Sequence, residues 1–166
     1  MVQESIISMV QESFVGIRCY GNEIPKWFSH KSEGCSIKIE LPHDWFSTDF
    51  LGFALSLVVV GAIGYLSIGC KYNFKTSNGE SREVNHHFSQ PLENLFSSAS
   101  FSCDEVFVWW YNQSPTAFYK LVTEVNVDFT VTSGFDLFGE NEREVEKCGI
   151  CLLYGKDVEM IKQRAL

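Results

Sequence analysis

The chain has 166 residues, 45% of them hydrophobic and 14% aromatic, enough apolar material for one domain with a real core and too much for a disordered segment. Its formal net charge of −8, from 13 basic and 21 acidic residues, argues against a general binder of nucleic acid or of anionic membrane, because phosphate contact needs clustered Lys and Arg. The longest apolar run, "LGFALSLVVVGAIGYLSIGC", is broken by Gly52, Ser56, Gly61, Gly64, Ser67 and Gly69, which suits two strands and a turn better than a membrane helix.

The chain opens on "MVQES" at 1–5, repeated at 9–13. The spacing places Val2, Ile6, Met9 and Val10 on one helical stripe, so 1–16 reads as a short helix or linker. It has no basic start and too many polar residues for a secretion signal, so a reducing setting is expected, cytoplasmic with the nucleus as the alternative. The six cysteines (Cys19, Cys35, Cys70, Cys103, Cys148, Cys151) are then expected as free thiols.

From 17 to 155 the signal turns to period two. In "CSIKIEL", Ile37, Ile39 and Leu41 alternate with Ser36, Lys38 and Glu40, the pattern of a strand with one wet face. In "FLGFALSLVVV", Leu51, Phe53, Leu55, Leu57 and Val59 share a face, and the other face is small and apolar, which predicts a central strand covered on both sides. "YLSIGCKYNF" follows after a turn, and "VFVWWY" at 106–111 reads as interior. In "KLVTEVNVDFTV", Leu121, Thr123, Val125, Val127, Phe129 and Val131 point one way and Glu124, Asn126, Asp128 and Thr130 the other. "VEKCGICLLY" closes the set, and 156–166 reads as a polar tail. Polar, turn-rich segments separate these strands at 75–83, 97–104, 112–118 and 133–144. The fold class expected is all-β, an antiparallel β-sandwich of jelly-roll or Ig-like kind.

No catalytic set emerges. Cys148 and Cys151 match C-x-x-C, but on a strand they face opposite sides and cannot share a metal. His86 and His87 diverge in the same way, and no third or fourth ligand converges with His30 or His43. There is no nucleophile elbow, phosphate loop or H-E-x-x-H. No enzyme activity, metal or cofactor is expected. Glu140, Glu142, Glu144 and Glu146 read as a solvated acidic run.

The stretch "CYGNEIPKWFSHKSEGCSIKIELPHDW" reads as architecture. Gly21-Asn22 can turn the chain, Pro25 holds Ile24 extended, Trp27 and Phe28 pin the segment to the core, and Pro42 ends a strand over 35–41. Gly21, Glu23-Ile24-Pro25, Trp27-Phe28-Ser29, Ser32, Gly34, Ser36-Ile37, Leu41-Pro42 and Trp45, followed by Phe50-Leu51-Gly52-Phe53-Ala54, carry a resemblance. So do Cys70, Trp109, Tyr111, "EVNVDF" and "VEKCGICLLY". Over about 17–155 the chain resembles the C-terminal jelly-roll/Ig-like domain that follows the leucine-rich repeats of plant Toll-type nucleotide-binding immune receptors. Tyr20 stands where that family often has proline.

The resemblance implies a recognition module in plant defence that binds a pathogen effector protein beside the leucine-rich repeats of the same receptor. Loops on a rigid sandwich would make the contacts. By loop position and residue type the candidates are Asn73, Asn78, Arg82, His86, His87, Asn112, Gln113, Tyr119, Phe135 and Phe138. Two alternatives stand beside this: a carbohydrate-binding sandwich, which needs an exposed Trp next to polar groups, and a structural cap on the repeats.

Overall fold

The computed structural model describes the backbone at 14–62, 65–90, 103–112, 117–134 and 141–157, and side chains within those spans at 21–61, 66–87, 106–109, 118–132 and 142–157. Among these residues, ten strands form two antiparallel sheets. The first sheet runs β1 (Phe14–Tyr20), β7 (Cys103–Asn112), β4 (Phe50–Ala62), β10 (Val145–Tyr154), β2 (His30–Glu33). The second runs β3 (Ser36–Glu40), β8 (Val122–Gly134), β5 (Tyr65–Thr76), β6 (Ser81–Gln90), with β9 (Asn141–Glu142) also paired to β8. The all-β sandwich expected from the alternation is the fold observed. The helix or linker expected at 1–16 lies mostly outside the described residues, and its last three residues already belong to β1.

The inner faces meet in one core. Phe53, Leu55, Leu57, Val59, Phe107, Trp109, Cys148 and Ile150 from the first sheet pack on Ile37, Ile39, Ile68, Tyr72, Phe74, Val125, Val127 and Phe129 from the second. Gly34, with φ of 84°, and Cys35 form the corner where the chain leaves β2 for β3 and changes sheets. β2 and β3 therefore meet on one flank, and β1 and β6 are the strands at the opposite ends of their sheets.

β4 is central and covered on both sides, as its two apolar faces predict. Its second face does not look into the sandwich. Ala54 and Val58, with Val106, Val108 and Leu153, lie on the outside of the first sheet beneath Ile24 and Phe28. The expectation that Trp27 and Phe28 pin their segment to the core is corrected here: residues 21–29 form a cover over the outer face. Ile24 and Phe28 are buried in it, and Trp27 is half-buried, its ring tilted 32° against Phe28 with centroids 4.3 Å apart. Lys147 holds the cover down, its Nζ donating to the Asn22 carbonyl at 3.3 Å and to Glu23 Oε1 at 3.0 Å.

Gly149 is the contact point beneath the cover. A Cβ there would lie 3.0 Å from Ile24 Cγ2, 3.2 Å from the His30 carbonyl and 3.3 Å from the Phe28 ring. Gly149→Ala should lower stability by about 1–3 kcal/mol through overpacking, read as a drop in chemical-denaturation midpoint with the slope unchanged.

Two side-chain assignments are reversed by register shifts. Leu51 was expected inside with Phe53. Pairing with β10 slips between Leu153 and Tyr154, so Phe50 joins the core and Leu51 turns to the outer cluster. Likewise Leu121 and Thr123 were expected inside. The slip between Lys75 and Thr76 gives the core place to Val122 and leaves Leu121 48% exposed.

Candidate functional site

One pole of the sandwich collects the C-terminal ends of β3, β5, β7 and β10 and the start of β1. Trp45 is its keystone. The ring is buried against Phe46, Phe50 and Phe53, its Nε1 donates to the Val122 carbonyl at 2.9 Å, and its own carbonyl accepts the Tyr154 hydroxyl at 2.6 Å. One indole thus ties the 41–49 connection to β8 and β10.

Above it sits the short 3₁₀ helix Ala117–Leu121. Tyr119 stacks on Phe46 at 6.3 Å and meets Phe74 edge-on at 5.3 Å. Burial pushes its hydroxyl pKa up, partly opposed by the Arg82 charge. Arg82 reaches from β6 to lie 3.9 Å over the Phe118 ring, a cation–π contact at the surface. The β5–β6 turn closes through Asn78, which bonds the Thr76 hydroxyl, and Gly79, whose φ of 87° a side chain would strain. The Ser77 N–H donates to the Leu121 carbonyl at 3.1 Å, joining that turn to the helix. Leu121 is the one exposed large hydrophobic side chain among the described residues.

Asn78, Arg82 at the start of β6, and the sequence-distant Tyr119 therefore gather at this pole, and the backbone of Asn112 ends β7 there. Gln113, Phe135 and Phe138 lie outside the described residues. The other candidates are not loop residues. Asn73 is in β5, and Arg82, His86 and His87 are in β6. β6 was missed because its residues are mostly polar, and its strand character comes from a ten-residue pairing with β5. His86 is half-buried, edge-on to Tyr72 at 5.4 Å, and His87 Nε2 bonds the Ser67 hydroxyl at 2.7 Å. The aromatics Phe46 and Phe118 and the exposed Leu121 are absent from the sequence-derived set. Leu121 could not be found from alternation, which placed it inside.

Burial lowers the His86 pKa from its ordinary 6.5. The unfolded chain then takes up that proton first as pH falls. The stabilisation from neutral His86 is complete above 6.5 and is lost as pH drops through the lower folded value. Melting temperature should therefore fall with mild acidification, and His86→Gln should flatten that slope.

The outer face of the second sheet is a polar grid. Lys38, Asn126, Asn73 and Glu83 form one row across β3, β8, β5 and β6; Ser36, Asp128, Lys71 and Asn85 form the next. Glu124 takes Lys38 at 3.0 Å and Lys75 at 3.5 Å, and Lys71 takes Glu83 at 2.8 Å. The Lys38 hydrogen bond leads in holding the Glu124 carboxyl below its usual range. No Phe, Tyr or Trp occupies these described positions. Trp45 and Trp109 are buried, and Trp27 is half-buried.

Cys148 faces the core and Cys151 the outer cover, its thiol beside the Trp27 carbonyl at 3.9 Å. The opposite-face reading of C-x-x-C holds. Burial pushes the Cys148 thiol up to about 12 and raises Cys70 and Cys151 as well, while Cys35 is exposed. Among the described residues no three His, Cys, Asp or Glu side chains group as a metal site, and no helix is long and apolar enough to cross a membrane.

Comparison with known proteins places these features. The C-JID domain family matches residues 19–159. Disease resistance protein RPP2B of Arabidopsis thaliana is 29% identical over 90% of the chain, and disease resistance-like protein DSC1 of the same plant is 30% identical over 87%. Disease resistance protein RPS4 is 25% identical over 90%. The chain spans 14% of the length of the first of these and 13% of the other two. The buried cover, the central β4 and β10 all fall inside the matched span, and the chain belongs to the C-JID family, the C-terminal domain of plant Toll-type disease resistance receptors.

Proposed function

We propose that this C-JID domain is a recognition module of a plant immune receptor and that the pole around Leu121 contacts a pathogen effector protein beside the receptor's leucine-rich repeats. The convergence of Asn78, Arg82, Phe118 and Tyr119 on one pole, around an exposed Leu121, carries the reading. Arg and aromatic side chains are enriched at protein interfaces. The architectural motif, by contrast, is consumed in covering the outer face of the first sheet. No chemical step is assigned to the domain.

The test is a loop exchange in the intact receptor. Replacing 77–80 and 117–121 with the corresponding segments of a relative should abolish effector binding and the defence response while receptor abundance is unchanged. Effector binding that survives both exchanges removes this pole from recognition. The cytoplasm, with the nucleus as the alternative, is the compartment this role requires.

A further inference from the structure

β6 is the terminal strand of the second sheet, and among the described residues nothing pairs with its outer edge. Its ten-residue register with β5 has no bulge, it contains no proline, and its charges, Arg82 and Glu83, lie in its first three residues. Those are the devices that normally blunt an edge. The bond from the Thr76 N–H to the Glu80 carbonyl sets the phase of the ladder. By alternation, the N–H and C=O groups of Ser81, Glu83, Asn85 and His87 point away from β5.

The strand is also complementary to itself. Antiparallel pairing of two β6 strands about Asn85 sets Asn85 opposite its own copy, and an amide both donates and accepts. The same register sets Glu83 opposite His87 twice, acid against imidazole on one face. The chain as a whole carries −8, but Lys71 and Arg82 beside this edge balance Glu80 and Glu83, so like-charge repulsion is not concentrated there.

We propose that two copies of this chain join edge to edge through antiparallel β6–β6 pairing about a two-fold axis at Asn85. The test is sedimentation of the full 166-residue chain over a concentration series, with hydrogen exchange at low and high concentration. Wild type should shift from one to two chains per particle, and the amides of Glu83, Asn85 and His87 should gain protection as it does. Asn85→Pro removes an outward N–H without touching the β5 ladder, so it should stay monomeric with an unchanged melting temperature. Glu83→Lys should weaken the pair, and Glu83→Lys with His87→Glu should restore it. A wild-type chain that is monomeric at every concentration overturns the proposal, as does an Asn85→Pro variant that still pairs. Edge amides protected equally at all concentrations and released by deleting residues 1–12 would assign the edge to the chain's own N-terminus and overturn it too.

Discussion

Trp45→Ala should be the most damaging single truncation, costing about 4–6 kcal/mol. Loss of a buried indole among Phe46, Phe50 and Phe53 accounts for roughly 3–5 kcal/mol, and the Val122 carbonyl left without its donor adds about 1 kcal/mol. Against a typical domain stability of about 5–15 kcal/mol this is a large fraction, and the melting temperature should fall by roughly 10–20 °C. Trp45→Phe keeps most of the ring and loses the N–H, so its loss should be about 1–2 kcal/mol. The damage should extend to the candidate surface, because Phe46, next in sequence, is what Tyr119 stacks upon. Effector binding by the intact receptor should therefore fall with Trp45→Ala. Thermal melts of the three proteins decide it: an alanine variant melting beside the phenylalanine variant would mean that the pole is held by something other than this ring.

The second large effect is at Phe28. Phe28→Ala should cost about 3–4 kcal/mol, because the ring is buried between the cover and the outer face of the first sheet. Trp27→Ala should cost only about 1–2 kcal/mol, since its half-buried ring leaves less apolar area to lose. The order matters more than either value. A cover pinned into the sandwich core would make Trp27, the larger ring, the costlier loss. Equilibrium unfolding of both variants, and of Lys147→Ala as a control for the tether, reads that order directly.

The strands with apolar alternation were legible in the residues themselves. β10 occupies the span of "VEKCGICLLY", and Ile37 and Ile39 are buried while Lys38 and Glu40 are exposed, as their spacing predicts. Four strands were not legible. β2 is four polar or charged residues, "HKSE", whose pairing is supplied by β10. β6 owes its extension to β5 in the same way, β9 is two residues paired to β8 within a segment read as a turn, and the first three residues of β1 were read as the end of the helix or linker. The reversed faces of Leu51 and Leu121 share one cause. A slip of register is decided between two strands, and neither strand's own pattern records it. The site was legible in part. Residue type identified Asn78, Arg82 and Tyr119, but His86 and Asn73, taken for loop residues, are strand residues with partly buried side chains. Leu121 was hidden by an alternation that should have buried it.

The distribution of thiols supplies this domain with a native clock for its own opening. Cys35 stands in solvent, so an alkylating reagent should consume it at once. Cys70 and Cys148 are buried on the inner faces of opposite sheets, and their raised pKa values keep them protonated and unreactive. Their labelling must wait for the sheets to part. Cys151, beneath the half-buried Trp27, must wait only for the cover to lift. Mass spectrometry of timed alkylation would then separate two motions in one sample, the lifting of the 21–29 segment and the parting of the sandwich.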